Sequence, residues 1–378
     1  MTMNPEIKNH KESDNTLTFT LSGVDTCFAN GIRRTILSDI QTVVFKTIPF
    51  EENKAIILEN TTRLNNEILK QRLSCIPIHI KDLDIPLSSY LLEINETNIT
   101  DTMMYVTTEH FKIKNVVTGK YLEEKDVRSI FPSYIPPTGK GEYFIDFVRL
   151  RPKISEEIPG EKIILTCEFS LGTAKQDSMF NVAGTCSYGF TPDAETMKKE
   201  LQKKQQLWRD EGKTQEEMDF ESKNWNLLEG LRFVKKNSFD FVLETVGVFD
   251  NDELVVKACD ILIEKFTFLN KQIDEDELKI APSETTMENC YDITLENEDY
   301  TIGTILNYIL YDTFYRWSNY LTYCGFKKMH PHDDDSIVRL AFTSPSSNQT
   351  TVKEVMKHSA DESIKVFKKI KDLFKSKK

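Results

Sequence analysis

The side chains best suited to bond-making chemistry lie in one short run, His330-Pro331-His332-Asp333-Asp334-Asp335. Two imidazoles and three carboxylates are the donors a divalent metal takes, and a metal held there would support hydrolysis. The proline between the histidines keeps them off a common helix face, the arrangement paired histidines often use to reach a metal. The run therefore also reads as a solvated turn ahead of the alternating stretch that begins at Ser336. Asp250, Asp252 and Glu253 read as acids complementing the dipole of a helix start. Gly139-Lys140-Gly141 lacks the upstream glycine and the following Ser or Thr of a phosphate loop. No G-x-G-x-x-G, G-x-S-x-G or H-E-x-x-H occurs, nor an H-x-E paired with P-C-x-x-C.

Two sets of charged residues suit recognition rather than catalysis. Arg33 and Arg34 flank the apolar face of an expected helix, and arginine grips carboxylates bidentately. Arg63, Glu67 and Arg72 surround a short apolar helical stretch ahead of Pro77. Both sets are candidates for docking a partner protein. The seven cysteines (Cys27, Cys75, Cys167, Cys186, Cys259, Cys290 and Cys324) are odd in number and never in a C-x-x-C pair. They read as buried, reduced thiols in a reducing compartment.

These residues need a scaffold, and 378 residues suggest two or three domains. With 39% hydrophobic and 29% charged residues the composition is globular. A net charge of −12 argues against a stand-alone nucleic-acid binder, although Lys365 to Lys378 form a local basic tail. The polar N-terminal stretch has no apolar core, so no signal peptide is expected. No apolar run is long enough to span a membrane.

One internal repeat stands out at an offset of 274 residues. FTLSGVDTCFANGIRRTILSDI begins at Phe19 and ITLENEDYTIGTILNYILYDTF at Ile293. Thr20 and Thr294, Leu21 and Leu295, and Asp25 and Asp299 coincide. Each copy opens as an alternating strand, turns at the aspartate, then places apolar residues every four positions. Those residues are Phe28, Ile32, Ile36 and Ile40 in the first copy, and Ile302, Leu306, Leu310 and Phe314 in the second. They are expected to pack on each other, as the two copies in a two-fold dimer do. A second strand–helix pair follows in each half. SFDFVLETV from Ser238 precedes a helix over Asp252 to Asn270, and SIVRLAFTS from Ser336 precedes one over Thr351 to Phe374. Between the pairs lie a long insertion, mostly β, over 51–230 with a helical arm near 194–226, and a short one over Arg316 to Asp335. Residues 274–289 are acidic, contain Pro282, and read as a linker.

These blocks resemble the RNA polymerase alpha family, which includes bacterial alpha, the archaeal D polypeptide and the third subunit of eukaryotic RNA polymerase II. ANGIRRTIL from Ala29 resembles its N-A-L-R-R helix. NTTRLNNEILKQRLSCIPI from Asn60 resembles the block opening the inserted domain. GTAKQDSMFNVAG from Gly172 and FDFVLETVGVFDNDELVVKACDILIEKF from Phe239 resemble two later blocks. From Cys290 on, LENEDYTIGTILNYIL and YCGFKKMHPHDDDSIVRLAF are similar to the smaller partner, the archaeal L polypeptide or the eleventh eukaryotic subunit. The resemblance implies an α+β fold in which two alpha-type strand–helix units form an intramolecular pseudo-dimer. The D-like unit would comprise residues 15–50 and 231–273, the inserted domain 51–230, the linker 274–289 and the L-like unit 290–378.

It further implies a non-catalytic assembly platform, fused from two subunits as in large nucleocytoplasmic DNA viruses, and located in virion and host cytoplasm. Its partners would be the two largest polymerase subunits and small zinc-bearing assembly subunits, with nucleic acid met only through the complex, no membrane and no homo-oligomer. Arg33, Arg34, Arg63, Glu67 and Arg72 would face a large subunit. Many relatives cluster cysteines in the inserted domain, but none lies between Cys75 and Cys167 here, so neither metal nor cofactor is expected. Phe180 stands at the family's tryptophan, Tyr300 at the L-like histidine and Thr304 at the L-like asparagine. The competing readings are a metal-dependent hydrolase using His330–Asp335 and a nucleic-acid-binding protein.

Overall fold

The computed structural model describes residues 3–136, 138–155 and 157–376; Lys377 and Lys378 of the basic tail lie outside them. Among these residues the chain forms sixteen strands and eight α-helices, an α+β fold. The first stretch runs β1 (Glu6–Ser13), β2 (Thr16–Ser22), α1 (Thr26–Ser38), β3 (Thr42–Val44), β4 (Ala55–Asn60), α2 (Asn66–Ser74), β5 (Tyr90–Thr97) and β6 (Met104–Thr107). It continues through β7 (Lys112–Asn115), α3 (Glu124–Ile130), β8 (Asp146–Leu150), β9 (Lys162–Glu168), β10 (Ser170–Gly172) and β11 (Ala183–Pro192). Next come α4 (Ala194–Asp210), α5 (Gln215–Leu227), β12 (Val234–Thr245) and α6 (Asn251–Asp274). The last are β13 (Lys279–Pro282), β14 (Cys290–Leu295), α7 (Tyr300–Ile309), β15 (Leu321–Lys327), β16 (Ser336–Phe342) and α8 (Gln349–Lys375).

The chain divides into two compact units. The first gathers the described residues of Met1–Thr35, Thr185–Glu244 and Val255–Lys378. It holds two four-stranded antiparallel sheets, ordered β1-β2-β12-β11 and β13-β14-β16-β15. Alternation decides which face of each strand is buried. In β2, Leu17, Phe19 and Leu21 point into the core, and in β16, Val338 and Leu340 do. Register follows the same logic: Phe241 sits opposite Phe19, and the two rings stack 4.8 Å apart. Asp25 and Asp299, the coincident aspartates of the repeat, occupy the same local position. Each side chain accepts an N–H two residues on, from Cys27 at 3.0 Å and from Thr301 at 2.8 Å. Asp299 is the N-cap of α7, where a short polar acceptor satisfies an otherwise orphaned amide.

The second unit comprises Ile36–Gly184 and Thr245–Leu254. Its main sheet is ordered β4-β9-β5-β7, with two-stranded pieces β6-β8 and β10-β3. Its core centres on Phe45, Phe111, Phe131 and Phe147, closed by Leu69 and Leu73 from the inner face of α2. It is mostly β.

Three expectations change. Residues 274–289 are not a plain linker, because β13 pairs with β14 from Lys279 opposite Thr294 to Pro282 opposite Tyr291. Proline is tolerated there because β13 is an edge strand. The stretch Arg316 to Asp335 contains β15, which completes the same sheet. And β11 from Thr185 on joins the first unit with the helical arm, while residues 36–50 and 245–254 join the second, so the compact inserted body does not coincide with 51–230.

Candidate pairing and docking surfaces

In the first unit, the two halves of the repeat meet along α1 and α7. A Cβ added to Gly31 would approach Ile305 Cδ1 to 3.0 Å. Gly31 and Ile305 are separated by the repeat offset of 274 residues, so equivalent positions touch each other, as residues on a two-fold axis do. On one side of this point Phe28 meets Tyr308 edge-on at 6.5 Å and Phe367 at 5.2 Å. On the other, Arg34 pairs with Asp299 at 2.7 Å. The long helices α6 and α8 lie antiparallel beside them. Phe266 stacks on Phe367 at 6.2 Å, and Asn270 donates to Asp361 at 2.7 Å. Ion pairs Lys353–Asp276, Lys357–Asp274 and Lys371–Asp260 follow the same register. Lys265 and Glu298 add one at 3.4 Å.

The stripe residues are placed unevenly. Phe28, Ile32, Ile36, Ile40, Ile302, Leu306 and Leu310 are buried. The contacts between the halves named above use Phe28, Gly31 and Arg34, three apart, against Asp299, Ile305 and Tyr308, six and three apart, so the meeting line is turned relative to the four-residue stripe. Phe314 is half-buried and packs on Tyr320 and His358 of its own half. The reason is a change of winding: from Leu310 to Trp317 the helix runs in π-type turns, which rotate later residues off the earlier face. Ile305 and Tyr308 were missed from sequence, and Phe367 and Phe374, legible as apolar positions of the last helix, were not read as meeting the first half, where they pack on Phe28 and Phe19. Their signal is the breadth of apolar residues on α7 and α8, wider than any single four-residue stripe.

The charged candidates also separate. Arg34 is engaged inside the chain by Asp299. Arg33 folds back on its own helix, donating to Asn30 Oδ1 from Nε at 3.0 Å and from Nη2 at 2.9 Å. Arg72 donates to the carbonyls of Phe147 and Asp146, both at 2.7 Å, and so ties α2 to β8. Arg63 and Glu67 remain exposed, beside an exposed Ile68 on the outer face of α2. Cys75, expected to be buried, caps the C-terminal end of α2 and is exposed. Burial pushes the Cys167 and Cys186 thiols up to about 12, against a weaker opposing pull from Lys70 and Arg33 respectively. Burial, then the Asp25 carboxylate, raises Cys27 well above its ordinary value. Thiols held this way are poor nucleophiles.

The His330–Asp335 run forms an exposed turn. The His330 amide donates to Asp333 Oδ2 at 2.9 Å, and His330 Nδ1 accepts the His332 amide at 3.2 Å. Asp335 accepts the Asn297 amide at 3.1 Å. Among the described residues no group of three or more His, Cys, Asp or Glu is placed to hold a metal. Asp250 and Glu253, at the start of α6, pair with Lys81 at 3.3 and 3.2 Å. A cavity of about 510 Å³ in the second unit has Phe111, Phe131 and Phe144 in its lining. At its rim, Arg128 is already met by Glu109, Glu124 and Glu142. No helix among the described residues is long and apolar enough to cross a membrane.

The family model for the RNA polymerase Rpb3/Rpb11 dimerisation domain matches residues 18–266. The chain belongs to this family. It is 27% identical over 193 residues to the DNA-directed RNA polymerases I and III subunit rpac1 of Dictyostelium discoideum, covering 48% of this chain and 51% of that protein. It is 28% identical over 196 residues to the DNA-directed RNA polymerase subunit Rpo3 of Methanosphaera stadtmanae, covering 51% and 63%. It is 23% identical over 292 residues to the DNA-directed RNA polymerase II subunit RPB3 of Schizosaccharomyces pombe, covering 73% and 90%. The chain thus spans about half the length of the first relative and under two thirds of the second. The Rpb3/Rpb11 match ends within α6, so β13 to α8 lie beyond it.

Proposed function

We propose that this chain is a non-catalytic assembly subunit of a multisubunit DNA-directed RNA polymerase, in which a D-like and an L-like partner are joined in one polypeptide. The observation that carries this reading is the meeting of Gly31 with Ile305, at equivalent positions of the repeat, in a chain of the Rpb3/Rpb11 family. A platform needs a preformed pair with other faces left for partners, and the second unit supplies one on the outer side of α2, at Arg63, Glu67 and Ile68. The two largest polymerase subunits and small zinc-bearing assembly subunits are the partners this reading assigns, with a large DNA virus as the setting in which such a fusion arises. The test is co-expression of the tagged chain with the two largest subunits from the same source. Stoichiometric co-purification is the expected result. The purified chain alone should be a monomer without nucleotidyltransferase activity. Failure to retain either large subunit would sink the proposal.

A further inference from the structure

The helical hairpin of α4 and α5 takes no part in the pairing described above. Its inner faces close on Trp208, Met218 and Trp225, with Met197, Leu201 and Phe233 packed against them. The chain leaving α5 behaves differently. Leu227, Leu228 and Leu231 are 71%, 63% and 62% exposed within five residues. This stretch runs along α4. Glu229 pairs with Lys204 at 3.8 Å. A Cβ on Gly230 would lie 3.3 Å from Met197 Cε. The Asp193 amide donates to the Phe233 carbonyl at 2.9 Å. The bare leucines therefore lie beside the basic residues of α4 and those that open β12.

The charge around them opposes that of the whole protein. Over 198–204 and 227–236 the sequence places seven basic residues (Lys198, Lys199, Lys203, Lys204, Arg232, Lys235 and Lys236) against two acids, in a chain of net charge −12. Both acids are already paired, Glu200 with Lys203 and Glu229 with Lys204. A merely solvated helix face has no use for three adjacent exposed leucines. A track for nucleic-acid phosphates needs cations but not leucines. An interface with an apolar centre and a charged rim uses both.

We propose that this face docks an acidic amphipathic helix of a partner protein. Apolar side chains at i, i+3, i+4 and i+7 of that helix cover Leu227, Leu228 and Leu231. Carboxylates on its flanks meet Lys198, Lys199, Arg232 and Lys236, which Glu200 and Glu229 leave available, and Lys235, which also feels the Asp193 carboxylate.

The test titrates the full chain against labelled probes by fluorescence anisotropy. The probes are a synthetic helical peptide with Leu and Phe at that spacing and Asp and Glu elsewhere, the same composition scrambled, and a duplex DNA oligonucleotide; vesicles containing anionic lipid are assayed by co-sedimentation. The acidic amphipathic peptide alone should saturate, with affinity falling as salt rises. Leu228→Asp with Leu231→Asp, or Lys235→Glu with Lys236→Glu, should each weaken it by about tenfold or more. All four positions are exposed, so the unfolding midpoint should hold and separate lost docking from lost folding. Equal binding of the scrambled peptide, binding of DNA or vesicles in place of the peptide, or undiminished binding by either double variant overturns the proposal. Because the isolated chain is assayed, the result is independent of whether the polymerase subunits co-purify.

Discussion

The two four-stranded sheets of the first unit share one order. In each, an N-terminal edge strand (β1 or β13) pairs with the repeat strand (β2 or β14). The repeat strand pairs with the strand before the long helix (β12 or β16), and the fourth strand (β11 or β15) lies beyond it. What differs is the path from the repeat helix to the fourth strand. In the first half it passes through most of the β-rich second unit, residues 39–182. In the second half it is a π-wound turn and a short bend, from Leu310 to Tyr320. The sheets and helices that pair are duplicated, and the β-rich material between them is not. The difference teaches that the pairing function tolerates large insertions at one point of the topology, because loop closure there costs little once the flanking strands are paired.

The comparison can be broken most severely at the point where equivalent residues touch. Ile305→Asp should destabilise the first unit by about 3–5 kcal/mol, since it leaves a buried charge without a partner. Urea denaturation would read this, and a loss within experimental error of zero would mean that α1 and α7 do not share a seam. Mirror truncations test how unequal the two stripes are. Ile40 and Phe314 are equivalent under the 274-residue offset. Ile40→Ala should cost roughly 2–5 kcal/mol because Ile40 is buried, and Phe314→Ala should cost well under that because Phe314 is half-exposed. Equal losses would restore a symmetric stripe.

Smaller effects sharpen the same comparison. Asp25→Ala and Asp299→Ala each remove a helix-start acceptor worth about 1 kcal/mol. Asp299→Ala should cost a few tenths of a kcal/mol more, since it also releases Arg34, a partly exposed pair screened by solvent. A double-mutant cycle with Arg34→Ala measures that increment. The smallest effect is on pH dependence. In the second sheet Arg339 donates to both carboxylate oxygens of Asp292, at 2.6 and 2.7 Å, which holds that carboxyl below its ordinary range. A depressed folded pKa gives stability that is present above the unfolded value, near ~3.9, and is lost as pH falls through the folded value. The register-equivalent pair in the first sheet is Thr18 opposite Val242, which carries no such charge. Acidification below about pH 4 should therefore loosen β14–β16 amides in hydrogen exchange, and Asp292→Asn should flatten that acid limb.

Much of this architecture was legible in the residues. Strand alternation and helix spacing place β2, α1, β14, α7 and the later strand–helix pairs to within a few residues, because each buries one face against a large core. The edge strands were not. β1 reads Glu-Ile-Lys-Asn-His-Lys-Glu-Ser, and β13 is four residues ending in proline. Both are held by backbone pairing to a neighbour, which leaves little trace in side-chain pattern. The placement of the candidate docking arginines was not legible for a related reason. Sequence shows that Arg34 and Arg72 flank apolar faces, but whether their guanidinium groups meet solvent or a carboxylate and carbonyls of the same chain depends on tertiary placement. The π winding that turns Phe314 aside is set by packing, not by any residue whose type announces it.

Gly31 against Ile305 has one more consequence. At a seam between identical copies the residue on the axis faces itself, so its volume appears twice. Here a missing side chain faces a large one. Two first halves brought together would leave a hollow between glycines, and two second halves would force isoleucines into the same space. The shape of one contact therefore rejects like pairs and accepts the unlike pair. A second copy of the chain that traded partners would keep this contact by exchanging a first half for a second half, and would lose it by matching halves of one kind.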